Sequence, residues 1–77
     1  MSKREVILEI LHSIKPNIDF ENVQGILDNG YLDSLEFLQL ITELSARFGI
    51  EIDVDEITLE NFDTVETIEA LVERIMG

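Results

Sequence analysis

Asp33, Ser34 and Glu36 stand where a turn-rich stretch gives way to helical periodicity, and this is where the sequence concentrates its capacity for chemistry. Asp33 and Ser34 are both residue types that cap helix N-termini. If Ser34 is the cap, a backbone N–H occupies its hydroxyl. If Asp33 is the cap, Glu36 falls at the third helical position and completes a reciprocal box. Ser34 then becomes the first helical residue, with its hydroxyl free and facing outward. A phosphodiester on that hydroxyl lies beside unpaired N–H groups and the positive end of the helix dipole. The sequence leaves both assignments open.

Other candidates are weaker. His12 is the sole histidine, and a hydrolytic Ser34–His12 pair lacks an orienting third group and an oxyanion-hole motif. Asp53-x-Asp55 starts like a calcium loop, but Ile57 occupies the next ligand position and the turn glycine is missing. No catalytic residue and no metal site is expected.

The 77 residues fit one domain, residues 1–77, too small to enclose a deep walled pocket. With no Cys, disulfides and thiolate metal sites are excluded, and the chain suits a reducing, cytoplasmic setting. A hydrophobic fraction of 45% is that of a globular protein. The net charge of −12, from 17 acidic and 5 basic residues, repels nucleic acid and anionic membrane and favours basic protein surfaces. No apolar run approaches a membrane span, and a monomer is expected.

The elements that must position Ser34 are helical. Ser2-x-x-Glu5 suits a capping box. Val6, Ile7, Ile10, Leu11 and Ile14 share an arc, with Leu8 outside it, so a first helix is expected over roughly residues 3–14, ended by Lys15-Pro16. Residues 16–33 hold Pro16, Gly25 and Asn29-Gly30 among scattered apolar residues from Ile18 to Tyr31: a long loop that packs onto the core. A second helix runs from Asp33-Ser34 to about Phe48, with Gly49 as a left-handed cap. A short third helix is expected over about 54–60. Asp63 or Thr64 caps a last helix ending near Met76, with Val65, Ile68, Leu71, Val72, Ile75 and Met76 on one arc. The expected fold is all-α: a small four-helix bundle with a long loop between helices 1 and 2 and a short helix 3.

The second helix carries more apolar residues than one core stripe needs. At about 100° per residue from Leu35, Phe37, Leu40, Ile41, Leu44 and Phe48 fall between about 140° and 240°. Leu35 and Leu38 land near 0° and 300°, beside Gln39, Thr42 and Ser45. The pattern admits two ordinary surface leucines or a docking face for partners.

The stretch Asp28-Asn29-Gly30-Tyr31-Leu32-Asp33-Ser34-Leu35-Glu36 resembles the phosphopantetheine attachment site of acyl carrier proteins, in which a glycine shortly precedes D-S-L at the start of the second helix. The resemblance continues through Phe48-Gly49-Ile50-Glu51-Ile52 and Asn61-Phe62-Asp63-Thr64-Val65, covering roughly residues 20–76. It implies the four-helix acyl carrier protein fold and a non-enzymatic carrier. On this resemblance, a phosphopantetheinyl transferase would move a 4'-phosphopantetheine arm from coenzyme A to Ser34, and the arm's thiol would hold acyl or aminoacyl groups as thioesters. Asp33 would help orient the transferase and its metal. Leu35, Glu36, Leu38, Gln39 and Thr42 occupy positions that the family uses to contact partners: the transferase, a loading ligase, and downstream transferases or synthases in lipid or secondary-metabolite biosynthesis. The fatty-acid type commonly has G-A-D-S-L and repeated acids along this helix. Here Leu32 precedes Asp33, and Gln39, Ser45 and Ala46 replace acids, a form closer to stand-alone D-alanyl and other aminoacyl or specialised acyl carriers. The alternative is an acidic helical interaction module without a covalent arm.

Overall fold

Three α-helices arise where the sequence combines a cap with an apolar arc. The computed structural model describes residues 2–77: α1 is Lys3–Ile14, α2 is Ser34–Phe48 and α3 is Val65–Met76. Two 3-10 turns, Phe20–Asn22 and Val54–Glu56, lie in the connections, and no strand occurs among the described residues.

Each helix begins with a reciprocal capping box. Ser2 and Glu5 close the first, with the Glu5 N–H donating to Ser2 Oγ and the Ser2 N–H to Glu5 Oε1, both at 3.1 Å. Asp33 and Glu36 close the second, and Thr64 and Thr67 the third. The open choice at the last helix is thus settled for Thr64. The α1 helix stops at Lys15, ahead of Pro16, with the Lys15 N–H on the Leu11 carbonyl at 2.8 Å. Gly49 ends α2 in left-handed geometry, φ 62°.

The expected short third helix is a correction. Over 54–60 the chain makes one 3-10 turn, Val54–Glu56, without a side-chain cap. Its start lacks the donor geometry of a box, and it buries no residue fully. With no apolar stripe to pack, such a segment does not repay helix nucleation. Asn61 and Arg74 brace it instead. Asn61 Nδ2 donates to the Glu56 carbonyl at 2.7 Å, and Arg74 holds Glu56 Oε2 at 2.6 Å.

The core collects Ile7, Ile10 and Leu11 of α1, Leu40 and Leu44 of α2, and Val65, Ile68, Leu71 and Val72 of α3. Phe20, Ile26, Leu32 and Phe62 enter it from the connections, so the long loop does pack inward. Leu8, set outside the α1 arc by periodicity, is half-buried against this core, whereas Met76 is exposed at the end of α3. The α1 helix packs on both of the others. Lys15–Glu36 at 3.3 Å joins its end to the start of α2, and Arg47–Glu9 at 2.6 Å joins its middle to the end of α2, so the two run antiparallel. Arg4 pairs with Glu66 and ties the starts of α1 and α3 together.

Candidate functional site

The start of α2 resolves the Asp33–Ser34 ambiguity. Asp33 has extended backbone geometry, φ −84° and ψ −179°, and Asp33 Oδ1 accepts the Glu36 N–H at 2.8 Å. Glu36 returns the bond, with Oε1 accepting the Asp33 N–H at 3.0 Å. Ser34 is therefore the first residue of the helix, exposed, and its hydroxyl has no hydrogen-bond partner among the described residues. The capping box satisfies the Asp33 and Glu36 amides and leaves those of Ser34 and Leu35 directed at solvent. A negative group on Ser34 Oγ meets these N–H donors and the positive helix end. The residues present thus fit a phosphodiester.

Lys15 adds a tether from α1: its ammonium lies 3.3 Å from Glu36 Oε2, the carboxylate oxygen that the box does not use. His12 plays no part here. It is exposed on α1, its ring 6.2 Å from that of Phe20, and no hydrogen bond joins it to Ser34.

Beside Ser34 lies the outer face of α2. Leu35 is 69% exposed and Leu38 61%, as their angular separation from the core stripe required. Gln39 and Thr42 are exposed next to them, and Glu36 is half-buried. Thr42 Oγ1 donates to the Leu38 carbonyl at 2.9 Å, one turn back along the helix. Leu35, Leu38, Gln39 and Thr42 form one wall of an open groove of about 480 Å³. Ser13 and Ile14, at the end of α1, form the other. These two escaped the sequence reading because Ile14 shares the core arc of its helix and Ser13 carries no distinctive signal. Exposed Val54 and Leu59 escaped it as well. Val54 continues the alternation of Ile50 and Ile52, both half-buried, but the 3-10 turn redirects it outward.

A serine hydroxyl free of hydrogen bonds at a helix start, next to an exposed apolar face, has the geometry that an attached prosthetic group needs. Comparison with known proteins agrees: residues 4–75 match the family model described as the phosphopantetheine attachment site. The chain belongs to the phosphopantetheine-attachment carrier family.

Its relatives span all or most of its length. The chain is 31% identical over 78 residues to a D-alanyl carrier protein of Leuconostoc mesenteroides, covering all of both chains. It is 30% identical over 76 residues to a D-alanyl carrier protein of Lactobacillus acidophilus, covering 97% of this chain and 96% of that one. A D-alanyl carrier protein of Enterococcus faecalis is 32% identical over 77 residues, covering 92% of this chain and 99% of its own. The chain is thus a carrier that bears covalent 4'-phosphopantetheine and holds acyl or aminoacyl groups. When bound, the arm supplies the thiol that forms the thioester, a group this Cys-free chain does not have. As in its family, the work is done with partner enzymes. The reading as an interaction module without an arm gives way to this match. No helix among the described residues is long and apolar enough to cross a membrane.

Proposed function

We propose that Ser34 is the attachment point of the arm and that residues 1–77 act as one carrier domain for a small aminoacyl cargo, D-alanyl in the first instance. The observation that carries the site is the Asp33–Glu36 box, which leaves Ser34 Oγ free and exposed at the first helical position. The Asp33 carboxylate spends Oδ1 on the helix and keeps Oδ2 toward solvent, available to a transferase and its metal ion. The chain contributes no catalytic group: the transferase activates Ser34 Oγ, and a loading ligase activates the carboxyl group of the cargo.

Two features support an aminoacyl cargo. The full-length relatives are named as D-alanyl carriers. Gln39, Ser45 and Ala46 on α2 also give partners an apolar and hydrogen-bonding face in place of a row of acids. The fold that presents this face is of the acyl carrier type, with a 3-10 turn in place of the third helix. The partners are a phosphopantetheinyl transferase, a D-alanine-activating ligase and a downstream transferase, met by a monomer in the cytoplasm. Nucleic acid has no part in this scheme.

Intact mass after incubation with coenzyme A and a phosphopantetheinyl transferase tests the site. The wild type gains one arm, and Ser34→Ala gains none while keeping its helicity. A Ser34→Ala protein that still gains the arm refutes the assignment. Loading of the armed protein by a D-alanine-activating ligase, compared with a fatty-acyl ligase, tests the cargo.

A further inference from the structure

The loop between α1 and α2 contains no α-helix, yet it must deliver Asp33 and Ser34 in one orientation. Among the described residues, two of its backbone amides cross to the start of α3 and meet a single residue there, Asp63. The Gly25 N–H donates to Asp63 Oδ1 at 2.9 Å, and the Ile26 N–H donates to the Asp63 carbonyl oxygen at 2.9 Å. Two consecutive loop amides thus close on both acceptors of a single residue. One of the two bonds is charge-assisted and stronger than a neutral one.

Asp63 is firmly mounted. Its neighbour Phe62 and nearby Val65 are buried, and the Phe62 ring meets Phe37 of α2 edge-on at 5.0 Å. Nor is its carboxylate needed by α3, because Thr64 Oγ caps that helix. On the loop side, Gly25 has φ +65°, and a Cβ there would come within 2.5 Å of Asn29 Nδ2. From Ile26 the order propagates toward Ser34. The Tyr31 N–H donates to the Ile26 carbonyl and the Gly30 N–H to the Leu27 carbonyl, each at 3.1 Å, the closure of a Schellman turn. Buried Leu32 follows, and then Asp33.

We infer that Asp63 is a positioning residue for arm attachment: its double clasp on Gly25 and Ile26 holds the 25–33 turn in the one shape that presents Ser34 to the transferase. This rests on the assignment of the arm to Ser34. Without the clasp the turn samples other shapes, and only a fraction of the molecules present Ser34 correctly. Apparent affinity for the transferase falls by that fraction, whereas turnover of the correctly docked complex does not.

The test measures initial rates of arm transfer from coenzyme A against carrier concentration, for the wild type, Asp63→Ala, Asp63→Asn and Gly25→Ala, with amide hydrogen exchange on each. For Asp63→Ala, loss of one hydrogen bond is expected to raise KM for the carrier about three- to tenfold with kcat unchanged. Exchange should accelerate at Gly25, Ile26 and Tyr31, while core amides of α1 and α3 keep wild-type protection. Asp63→Asn retains an acceptor oxygen and should recover most of the loss. Gly25→Ala attacks the clasp from the loop side and should raise KM likewise; it decides the matter if Asp63→Ala does not fold. Wild-type KM in Asp63→Ala or Gly25→Ala, loss of protection spread evenly over the helices, or an Asp63→Asn protein as impaired as Asp63→Ala overturns the inference. A wild type that gains no arm on Ser34 instead overturns the site assignment, and the exchange data then still judge the clasp.

Discussion

The α2 and α3 helices begin alike and end in different roles. Both open with a reciprocal capping box. In α3 the apolar residues Val65, Ile68, Leu71 and Val72 are all buried, leaving an outer face of polar residues such as Glu66, Glu73 and Arg74. In α2 only Leu40 and Leu44 are fully buried, and Leu35 and Leu38 stand outside with Ser34. A helix that only builds the core needs one stripe. Apolar residues beyond that stripe cost solubility and are retained where a partner covers them. The contrast separates a helix whose apolar residues build the core from one that also exposes two leucines beside Ser34, the face proposed above to meet partner enzymes.

Leucine truncation breaks this comparison most directly. Leu71→Ala in α3 and Leu44→Ala in α2 should each cost about 2–5 kcal/mol in denaturant unfolding, since both leave a cavity in a packed core. Leu35→Ala and Leu38→Ala should cost well under about 1 kcal/mol, yet slow arm transfer or cargo loading. Stability losses of equal size at Leu38 and Leu71 would place Leu38 in the core and dissolve the distinction.

The two caps provide a smaller contrast. Asp33→Ala and Thr64→Ala each remove a side-chain acceptor from a helix start and should each cost about 0.5–2 kcal/mol. Only Asp33→Ala should also reduce arm transfer beyond what the unfolded fraction explains. Equal transfer by both variants at matched folded populations would leave Asp33 a plain cap.

Salt should act on the connection between the two helices more weakly than its acidity suggests. Of Glu51, Asp53, Asp55, Glu56, Glu60 and Asp63, Glu56 is paired with Arg74 and Asp63 with the Gly25 amide. Repulsion among the remaining four is screened beyond about 8–10 Å at moderate ionic strength. Hydrogen exchange over 53–60 should slow modestly on adding salt, while α2 and α3 stay indifferent. Protection over 53–60 equal to that of α2, and unmoved by salt, would remove the acidic cluster as a source of local loosening.

Acid has the smallest effect. The Ser2 N–H, then the Ser2 hydroxyl, hold the Glu5 carboxyl below its ordinary range, and the hydrogen bond from Arg4 does the same for Glu66. Because the folded state lowers both values, their contribution is present above the unfolded carboxylate pKa of about 4.3 and is lost as pH falls through the folded values. NMR titration should show α1 fraying at Ser2–Glu5 in that acid window. Ser2→Ala should move Glu5 part of the way back, since the backbone donor remains. A Glu5 titration unaffected by Ser2→Ala would show that the hydroxyl contributes nothing.

The legible part of the molecule was local. Cap residues marked the three helix starts, with Ser2 ahead of Glu5, Asp33 or Ser34 ahead of the second helix and Asp63 or Thr64 ahead of the last, because a cap is completed within four residues of chain. The arc of each helix marked its core, and the same arithmetic put Leu35 and Leu38 outside, because helical pitch fixes angular position without any partner. Periodicity failed where a neighbour decides. Leu8 is half-covered by other elements, and Val54 is turned out by the 3-10 geometry. The expected helix over 54–60 failed for the same reason: a D-x-x-E pattern supplies a start, but a segment without a buried stripe has nothing to stabilise further turns.

By itself, then, the sequence determined the three capped helices, the inward and outward faces of α2, and Ser34 as the residue to watch. Only the tertiary structure decided that Ser13 and Ile14 complete the groove beside Ser34, and that Asp63 reaches Gly25 and Ile26, 38 and 37 residues away along the chain. Capping and helical pitch are set by covalent geometry over a few residues. A bond between distant segments exists only once the core has brought them together.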